Sequence, residues 1–189
     1  PTRALRVSYV GELGWELHHP MERMQELYDQ LHEAGTSQGL RDFGTYAVNS
    51  LRMEKAYRAW GNEFTEEISG VEAGMERFID TSREFIGAQN IRQRLAKPGS
   101  IRLAYLAFDD DIRCECFGNE AIYHEGELVG ISTGGAFGHR VGYSLAFAYI
   151  RPELVAQDVK LQVMTSAGMR SAHVELNAVY DPTNQRLRS

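Results

Sequence analysis

The sequence has little or none of several features that define whole classes of proteins. It has only two cysteines, Cys114 and Cys116, in 189 residues, too few for a disulfide framework, which favours a reducing compartment. No run of about 18 apolar residues is present, so we expect no transmembrane helix and no membrane partner. No apolar signal core follows Pro1. Basic residues are not in excess: 20 Lys and Arg against 26 Asp and Glu give a net charge of −6, which argues against nucleic-acid binding.

The remaining composition is that of an ordinary folded protein. Hydrophobic residues make up 43% and charged residues 24% of the chain, which argues against intrinsic disorder. A chain of this length can bury one good core or two small ones. It begins at Pro1 without a Met, and a strand-like run follows almost at once. We therefore expect it to be a piece of a longer polypeptide.

The hydrophobic pattern changes near residue 98 and predicts two domains, 1–97 and 98–189. The first domain mixes strands and helices. Its predicted elements are strands at 3–9 and 15–19, a helix that begins at Pro20, a helix at 46–57 and a helix within 83–97 that Pro98-Gly99 ends. The second domain has only short strands, which is typical of an antiparallel sandwich or barrel. These strands are predicted at 101–108, 120–123, 128–132, 143–150, 159–164 and 172–179.

The segment Y-V-G-E-L-G-W-E, residues 9–16, is the first candidate for ligand binding. Its two glycines predict an exposed hairpin tip at Glu12. Glu16 follows on a strand, with Trp15 and Leu17 on the opposite face. A carboxylate can accept two N–H donors at once, and the amino-pyrimidinone edge of a pterin offers such a pair. The residue types alone favour the simpler interpretation, a solvated strand residue.

A basic stripe lies in the segment L-R-M-E-K-A-Y-R-A-W-G, residues 51–61. Arg52, Lys55 and Arg58 are three residues apart and would share one helix face. Such a stripe could contact a polyanionic ligand tail, but a solvated helix face is the more common arrangement. Glu54 and Arg58 would form an i,i+4 pair that contributes only about 0.2–0.5 kcal/mol.

Other reactive groups give no catalytic or metal site. Tetrahedral zinc needs four ligands, and the Cys114-x-Cys116 pair has no second pair to join it, so two reduced thiols are the favoured interpretation. The glycine-rich run 134–138 is not followed by a helical pattern, which predicts a barrel turn and not a phosphate loop. No G-x-S-x-G motif is present, and we assign no catalytic residue.

Several segments resemble a known family. They are S-Y-V-G-E-L-G-W-E-L (8–17), F-G-T-Y-A-V-N-S-L-R-M-E-K-A-Y-R-A-W-G (43–61), E-A-G-M-E-R-F (72–78) and F-I-G (85–87). They resemble the folate-binding aminomethyltransferase (glycine cleavage T-protein) superfamily, and within it the C-terminal region of dimethylglycine dehydrogenase and its sarcosine-oxidising relatives. The stretches 118–130 and 144–150 are similar to the family's C-terminal barrel. The resemblance implies an α+β fold: the rear part of the folate-binding domain, with mixed strands and helices, followed by an antiparallel, jelly-roll-like β-barrel.

The resemblance also implies an activity. In these enzymes an N-terminal domain with FAD oxidises an N-methyl amine. The iminium product reaches tetrahydrofolate held by the C-terminal region, and its one-carbon unit leaves as 5,10-methylenetetrahydrofolate. The implied partners are the folate and an upstream flavin domain of the same polypeptide, in the cytoplasm or in the mitochondrial matrix of a eukaryote. The family's catalytic aspartate lies upstream of this chain, so we expect the chain alone to be inactive. A stand-alone aminomethyltransferase and a non-catalytic folate-binding module are the alternatives.

Five residues match family positions that the resemblance connects with folate. Tyr9 matches a tyrosine that lines the folate site, and Glu16 matches the carboxylate that recognises the pterin. Leu17 and His18 follow Glu16 on the same strand. Arg77 stands where the related enzymes often carry an aromatic residue that touches folate; it would contact the glutamate tail of the cofactor or face water. For Glu16 the resemblance reverses the interpretation from residue types alone.

Overall fold

The computed structural model describes residues 1–97 and 99–189. Within these residues the elements, in chain order, are β1 (Arg3–Leu5), β2 (Glu16–His18), α1 (Met24–Gly35), α2 (Thr45–Glu54), α3 (Ala88–Ala96), β3 (Arg102–Phe108), β4 (Ala121–His124), β5 (Glu127–Gly138), β6 (Tyr143–Ile150), β7 (Lys160–Thr165), β8 (Gly168–Glu175) and α4 (Gln185–Arg188). Pro98, which we predicted to end α3, lies outside the described residues, and the domain boundary between residues 97 and 98 stays a prediction.

The second half of the chain forms a closed barrel of six antiparallel strands. The strands neighbour one another in the order β3-β6-β5-β4-β7-β8, and β8 closes on β3. Inside the barrel is an apolar cluster to which alternate residues of each strand contribute, Leu106, Ile122, Ile150 and Val163 among them. The predicted α+β fold with an antiparallel barrel is confirmed.

A second apolar cluster lies on the outer face of the barrel, where α2 packs over β5 and β6. Met53 of α2 packs there with Leu103, Tyr105, Leu145 and Phe147. Because this cover buries the outer face too, β6 is buried from Ser144 to Ile150 with no alternation. A strand that is buried on both faces reads as a continuous apolar run, as residues 144–150 do.

The glycines of residues 134–138 lie inside strand β5, so the predicted barrel turn is wrong. The strand runs from Glu127 to Gly138 and is bent by a bulge after Ser132. A Cβ at Gly135 would collide with the carbonyl oxygen of Leu145 on β6. This glycine therefore marks a close approach of two backbones, which one sequence does not distinguish from a turn.

The first half begins with a small two-stranded sheet and helix α1. Strands β1 and β2 pair antiparallel, with Leu5 opposite Glu16, and are shorter than predicted. The predicted helix after Pro20 is present, with a 3-10 turn at 21–23 before α1. No residue of α1 is buried.

Helix α2 joins this first half to the barrel through polar contacts as well as apolar ones. The side chains of Asn49 and Ser50 donate hydrogen bonds to the carbonyl oxygens of Gly135 and Phe137 on β5, at 3.1 Å and 2.7 Å. The Tyr105 hydroxyl donates to the carbonyl oxygen of Met53 at 2.7 Å. These contacts fix α2 in position, and with it the loop that follows.

We expect the substitution Phe147→Ala to lower the free energy of unfolding by about 3–5 kcal/mol, because it opens a cavity in the cluster under α2. The Phe147 side chain is 0% exposed. Urea denaturation measures the change. Phe117→Ala is the control, since Phe117 is 81% exposed and its truncation should cost less than about 0.5 kcal/mol. A cost below about 1 kcal/mol at Phe147 would contradict the packing described.

Candidate functional site

The basic residues at the end of α2 are not a solvated helix face, so that prediction is wrong. Of the three residues only Arg52 lies within α2, and Arg52 and Lys55 are both buried. The Lys55 Nζ atom donates to the Asp181 carbonyl oxygen at 2.6 Å and to Asn184 Oδ1 at 2.8 Å. Buried charges require partners, and those of Lys55 come from a distant part of the chain.

The partner of Arg52 is Glu63, in the loop after α2. Its carboxylate is 0% exposed, and Oε2 accepts hydrogen bonds from Arg52 Nη1 and from the backbone N–H of Ala59, both at 2.8 Å. The other oxygen accepts from Thr133 Oγ1 on β5 at 2.7 Å. The hydroxyl of Tyr149 donates to the Glu63 carbonyl oxygen at 2.7 Å. This network ties loop 55–64 to the barrel.

Tyr9, a predicted folate residue, rests on this loop. Its hydroxyl donates to the carbonyl oxygen of Arg58 at 2.7 Å, and its ring stacks on that of Tyr57, with centroids 5.9 Å apart and planes at 19°. Burial raises the pKa of the Tyr9 phenol, and the nearby Arg52 only partly opposes this, so the hydroxyl stays protonated at neutral pH. The residue as a whole is still 40% exposed, which leaves part of its ring available for stacking.

One cavity, of about 380 Å³, opens beside Tyr9, and we call it the Tyr9 cavity. Its lining residues are Tyr9, Thr45, Tyr46, Val48, Asn49, Arg52, Ala59 and Asn62. The lining combines aromatic and aliphatic surface with amide groups, which both donate and accept hydrogen bonds. Such a surface suits a flat polar heterocycle.

A second cavity, of about 330 Å³, adjoins Tyr57, and we call it the arginine cavity. Its cationic lining residues are Lys55, Arg58, Arg77 and Arg102. Tyr57 and Arg58 line this cavity and also hold Tyr9, which lines the first. The contacts of Tyr9 with residues 57–58 are therefore a wall that the two cavities share.

The other predicted folate residues lie apart from Tyr9. Glu16, Leu17 and His18 are exposed on β2 and line neither cavity. Glu16 Oε2 is 3.6 Å from His18 Nε2, so these two side chains share one face of the strand. Arg77 lines the arginine cavity, with its guanidinium 4.6 Å from the centre of the Phe78 ring. The folate role of all five residues stays a prediction.

Two further electrostatic predictions are wrong. Glu12 is not at a fully exposed hairpin tip: it is half-buried, its Oε1 accepts from the Tyr180 hydroxyl at 2.6 Å and lies 3.2 Å from Arg140 Nη2. Glu54 does not pair with Arg58, because the helix ends at Glu54 and the chain turns at Ala56, which has a φ of 52°. Glu54 is buried and accepts from the backbone N–H of Arg140 at 2.6 Å.

Sequence reasoning did not single out Glu63, Asn49 or Tyr57. Asn49 and Tyr57 lie within the family-like segment 43–61, where no spacing sets them apart from their neighbours. Glu63 lies just after that segment and looks like any surface carboxylate. A buried arginine needs an acidic partner, and that need becomes visible only once Arg52 is known to be buried.

Within residues 1–97 and 99–189, no group of three or more His, Cys, Asp or Glu side chains is arranged to hold a metal ion. In the same part of the chain, no helix has the length and apolar character needed to cross a bilayer.

The two cysteines are free thiols in different surroundings. Burial raises the pKa of the Cys114 thiol, but hydrogen bonds from Ser166 and Thr165 outweigh burial and hold that pKa below its ordinary value. Cys116 is buried, and this burial, with the charge of Glu120, raises its pKa to about 12. The two thiols should therefore differ sharply in reactivity.

We expect iodoacetamide at pH 8 to modify Cys114 in the folded protein and to leave Cys116 unmodified, because the thiolate is the nucleophile. Peptide mapping by mass spectrometry measures both sites. In urea both thiols should react, which controls for peptide recovery. Comparable labelling of Cys116 in the folded protein would show that its surroundings are not as described.

We expect Glu63→Gln to lower the free energy of unfolding by about 3–5 kcal/mol, because it leaves the Arg52 charge buried without an anion. Urea denaturation at neutral pH is the measurement. Glu66→Gln is the matched control: Glu66 is an exposed carboxylate three residues away, and its loss should change stability by less than about 0.5 kcal/mol. Equal effects of the two substitutions would rule out a structural role for the ion pair.

Comparisons with known proteins agree with the fold. The chain matches the models of the GCVT N-terminal domain over residues 1–83 and of the glycine cleavage T-protein C-terminal barrel domain over residues 102–181. It is 40% identical to mitochondrial dimethylglycine dehydrogenase of Homo sapiens over 193 aligned residues, covering 100% of this chain and 22% of that protein. It is 33% identical to mitochondrial sarcosine dehydrogenase of Mus musculus, covering 98% of this chain and 21% of that protein.

A solved structure shares the same fold. The chain superposes on the glycine cleavage system aminomethyltransferase T from Bartonella henselae with a TM-score of 0.82 at 21% identity, over 95% of this chain and 50% of that one. The chain thus spans about a fifth of the length of the dehydrogenases that it matches, and half of this transferase. With both domain models matched in chain order and the barrel closed, this chain belongs to the glycine cleavage T-protein superfamily.

Proposed function

We propose that this chain is the tetrahydrofolate-binding region of a flavin-dependent dehydrogenase of the dimethylglycine and sarcosine type. In this role it receives the one-carbon unit of the oxidised N-methyl amine and gives 5,10-methylenetetrahydrofolate. The observation that carries the proposal is the alignment of essentially the whole chain with two dehydrogenases whose names specify N-methylated glycines. The compartment would be the mitochondrial matrix in a eukaryote and the cytoplasm otherwise.

The residues around Tyr9 fit a pterin. The exposed part of the Tyr9 ring offers a stacking surface, and the Tyr46 ring, which is largely exposed, lines the same cavity. Within the described residues the Asn62 side-chain amide makes no hydrogen bond, whereas that of Asn49 bonds to Gly135 and Arg52. The Asn62 amide is therefore available to a heterocycle with both donors and acceptors.

Glu16 enters the proposal through the family resemblance: it lies in the same hairpin as Tyr9 but lines neither cavity. Strands β1 and β2 pair antiparallel, and Tyr9 lies in the connection between them. A movement of this hairpin would carry both residues. The solvated Glu16 carboxylate keeps both oxygens accessible, which a bidentate contact with the paired N–H groups of a pterin requires.

In this scheme the chain contributes binding and orientation. Bound tetrahydrofolate supplies the nitrogen atoms that take up the one-carbon unit. Tyr9 limits the position of the pterin by stacking, and Glu16 fixes its orientation by hydrogen bonds. We assign the oxidation, the FAD and the catalytic aspartate that the resemblance implies to other parts of the full polypeptide.

We expect Glu16→Gln in the full-length protein to raise the Kd for tetrahydrofolate about 10- to 100-fold, since a charge-assisted hydrogen bond contributes about 1.5–3 kcal/mol. Isothermal titration calorimetry measures the Kd. Bleaching of the flavin absorption by dimethylglycine should be unchanged, because that step does not use Glu16. Glu22→Gln, on the exposed 3-10 turn after β2, is the matched control and should leave both readouts as in the wild type.

The same measurements separate the alternatives. An unaltered Kd in Glu16→Gln would show that the assigned role of Glu16 is wrong. A colourless full-length protein, larger than this chain but much smaller than the flavin dehydrogenases, would favour the stand-alone aminomethyltransferase. A colourless protein that binds tetrahydrofolate without any turnover would favour the non-catalytic module.

A further inference from the structure

Among the described residues, two guanidinium groups of the arginine cavity have no ion-pair partner. Of its other cations, Arg102 pairs with Glu76 at 2.7 Å, and Lys55 is engaged by the segment 181–184. In the part of the chain that the structure describes, Arg58 donates only to the backbone carbonyl oxygens of residues 56 and 73, at 3.0 Å and 3.2 Å. Within the described residues Arg77 has no hydrogen-bonded or ion-paired partner, and only the Phe78 ring lies against it.

These two charges act on each other. Burial, followed by the proximity of Arg77, lowers the pKa of the Arg58 guanidinium. Among the described residues Glu175 is the one carboxylate that lines the cavity, and its two oxygens contact His173 at 3.2 Å and Gln157 at 3.0 Å, not Arg58 or Arg77. Both guanidinium groups therefore have N–H donors free for a ligand that carries negative charge.

We infer that the arginine cavity is an oxyanion site in which Arg58 and Arg77 are the recognition pair. The planar fork of a guanidinium matches the two oxygens of a carboxylate or a phosphate. Leu103 and Val155 also line the cavity, so an organic carboxylate fits it as well as an inorganic ion does. The volume of about 330 Å³ accommodates a small di- or tricarboxylate.

The oxyanion has two possible sources. It is either the glutamate carboxylates of a folate whose pterin occupies the Tyr9 cavity, across the wall formed by Tyr57 and Arg58, or a separate small anion. The first source rests on the proposed function, and the second does not. The shared chemistry is a carboxylate or phosphate that is bound by two guanidinium groups.

The test is calorimetric titration of the full-length protein with citrate, with inorganic phosphate and with tetrahydrofolate at low ionic strength. Arg77 is the residue to change, because it is exposed at the edge of the cavity and its substitution spares the fold. We expect Arg77→Gln to raise the Kd for at least one of these anions about tenfold or more. We expect Arg77→Lys to restore part of the lost affinity. Arg151→Gln removes the same charge from an exposed ion pair on the barrel and should change each Kd less than about twofold.

The outcomes separate the two proposals. Competition between citrate and tetrahydrofolate identifies the oxyanion as the folate tail, and simultaneous binding identifies a separate anion; both support the site. Citrate binding that depends on Arg77 without any tetrahydrofolate binding overturns the proposed function and leaves the site standing. If Arg77→Gln and Arg151→Gln give the same Kd values for all three ligands, the oxyanion site is overturned, whether or not tetrahydrofolate binds.

Discussion

The buried ion pair between Arg52 and Glu63 fixes the loop after α2, and the contacts that shape the candidate site depend on the position of that loop. It joins the end of α2 to the loop that follows, and through Thr133 and Tyr149 it joins that loop to the barrel. Each charged group is desolvated, and each carboxylate oxygen is matched by donors. A buried pair of this kind contributes less to net stability than to the selection of one arrangement over others.

That arrangement determines the shape of the candidate site. With the loop fixed, the carbonyl oxygen of Arg58 is in place to accept from Tyr9, and the Tyr57 ring is in place to support it. Tyr9, near the start of the chain, is therefore positioned by a network that lies further along the sequence: its hydrogen-bond partner Arg58 is 49 residues away. This contact joins Tyr9, which lines one cavity, to Tyr57 and Arg58, which line the other.

The sequence predicts the barrel well, since alternation and turn signals are local properties. Strand β6 was predicted at 143–150 and is found at Tyr143–Ile150. The sequence predicts the burial of charged side chains badly, because the partner of Arg52 is 11 residues away and the backbone partner of Lys55 is 126 residues away. Tyr9, Glu16 and Arg77 were found through the family resemblance, and no local pattern indicates that Tyr9 and Arg77 flank the same tyrosine.

The wall between the two cavities has a thermodynamic consequence. Tyr57 and Arg58 line the arginine cavity and contact Tyr9, which lines the other cavity, so a shift of this contact on ligand binding would change both cavities. If both cavities bind ligands, occupancy of one would then alter the affinity of the other, and by linkage the effect would be equal in both directions. Such coupling would run through a single aromatic ring and its adjoining peptide unit, without a movement of whole domains.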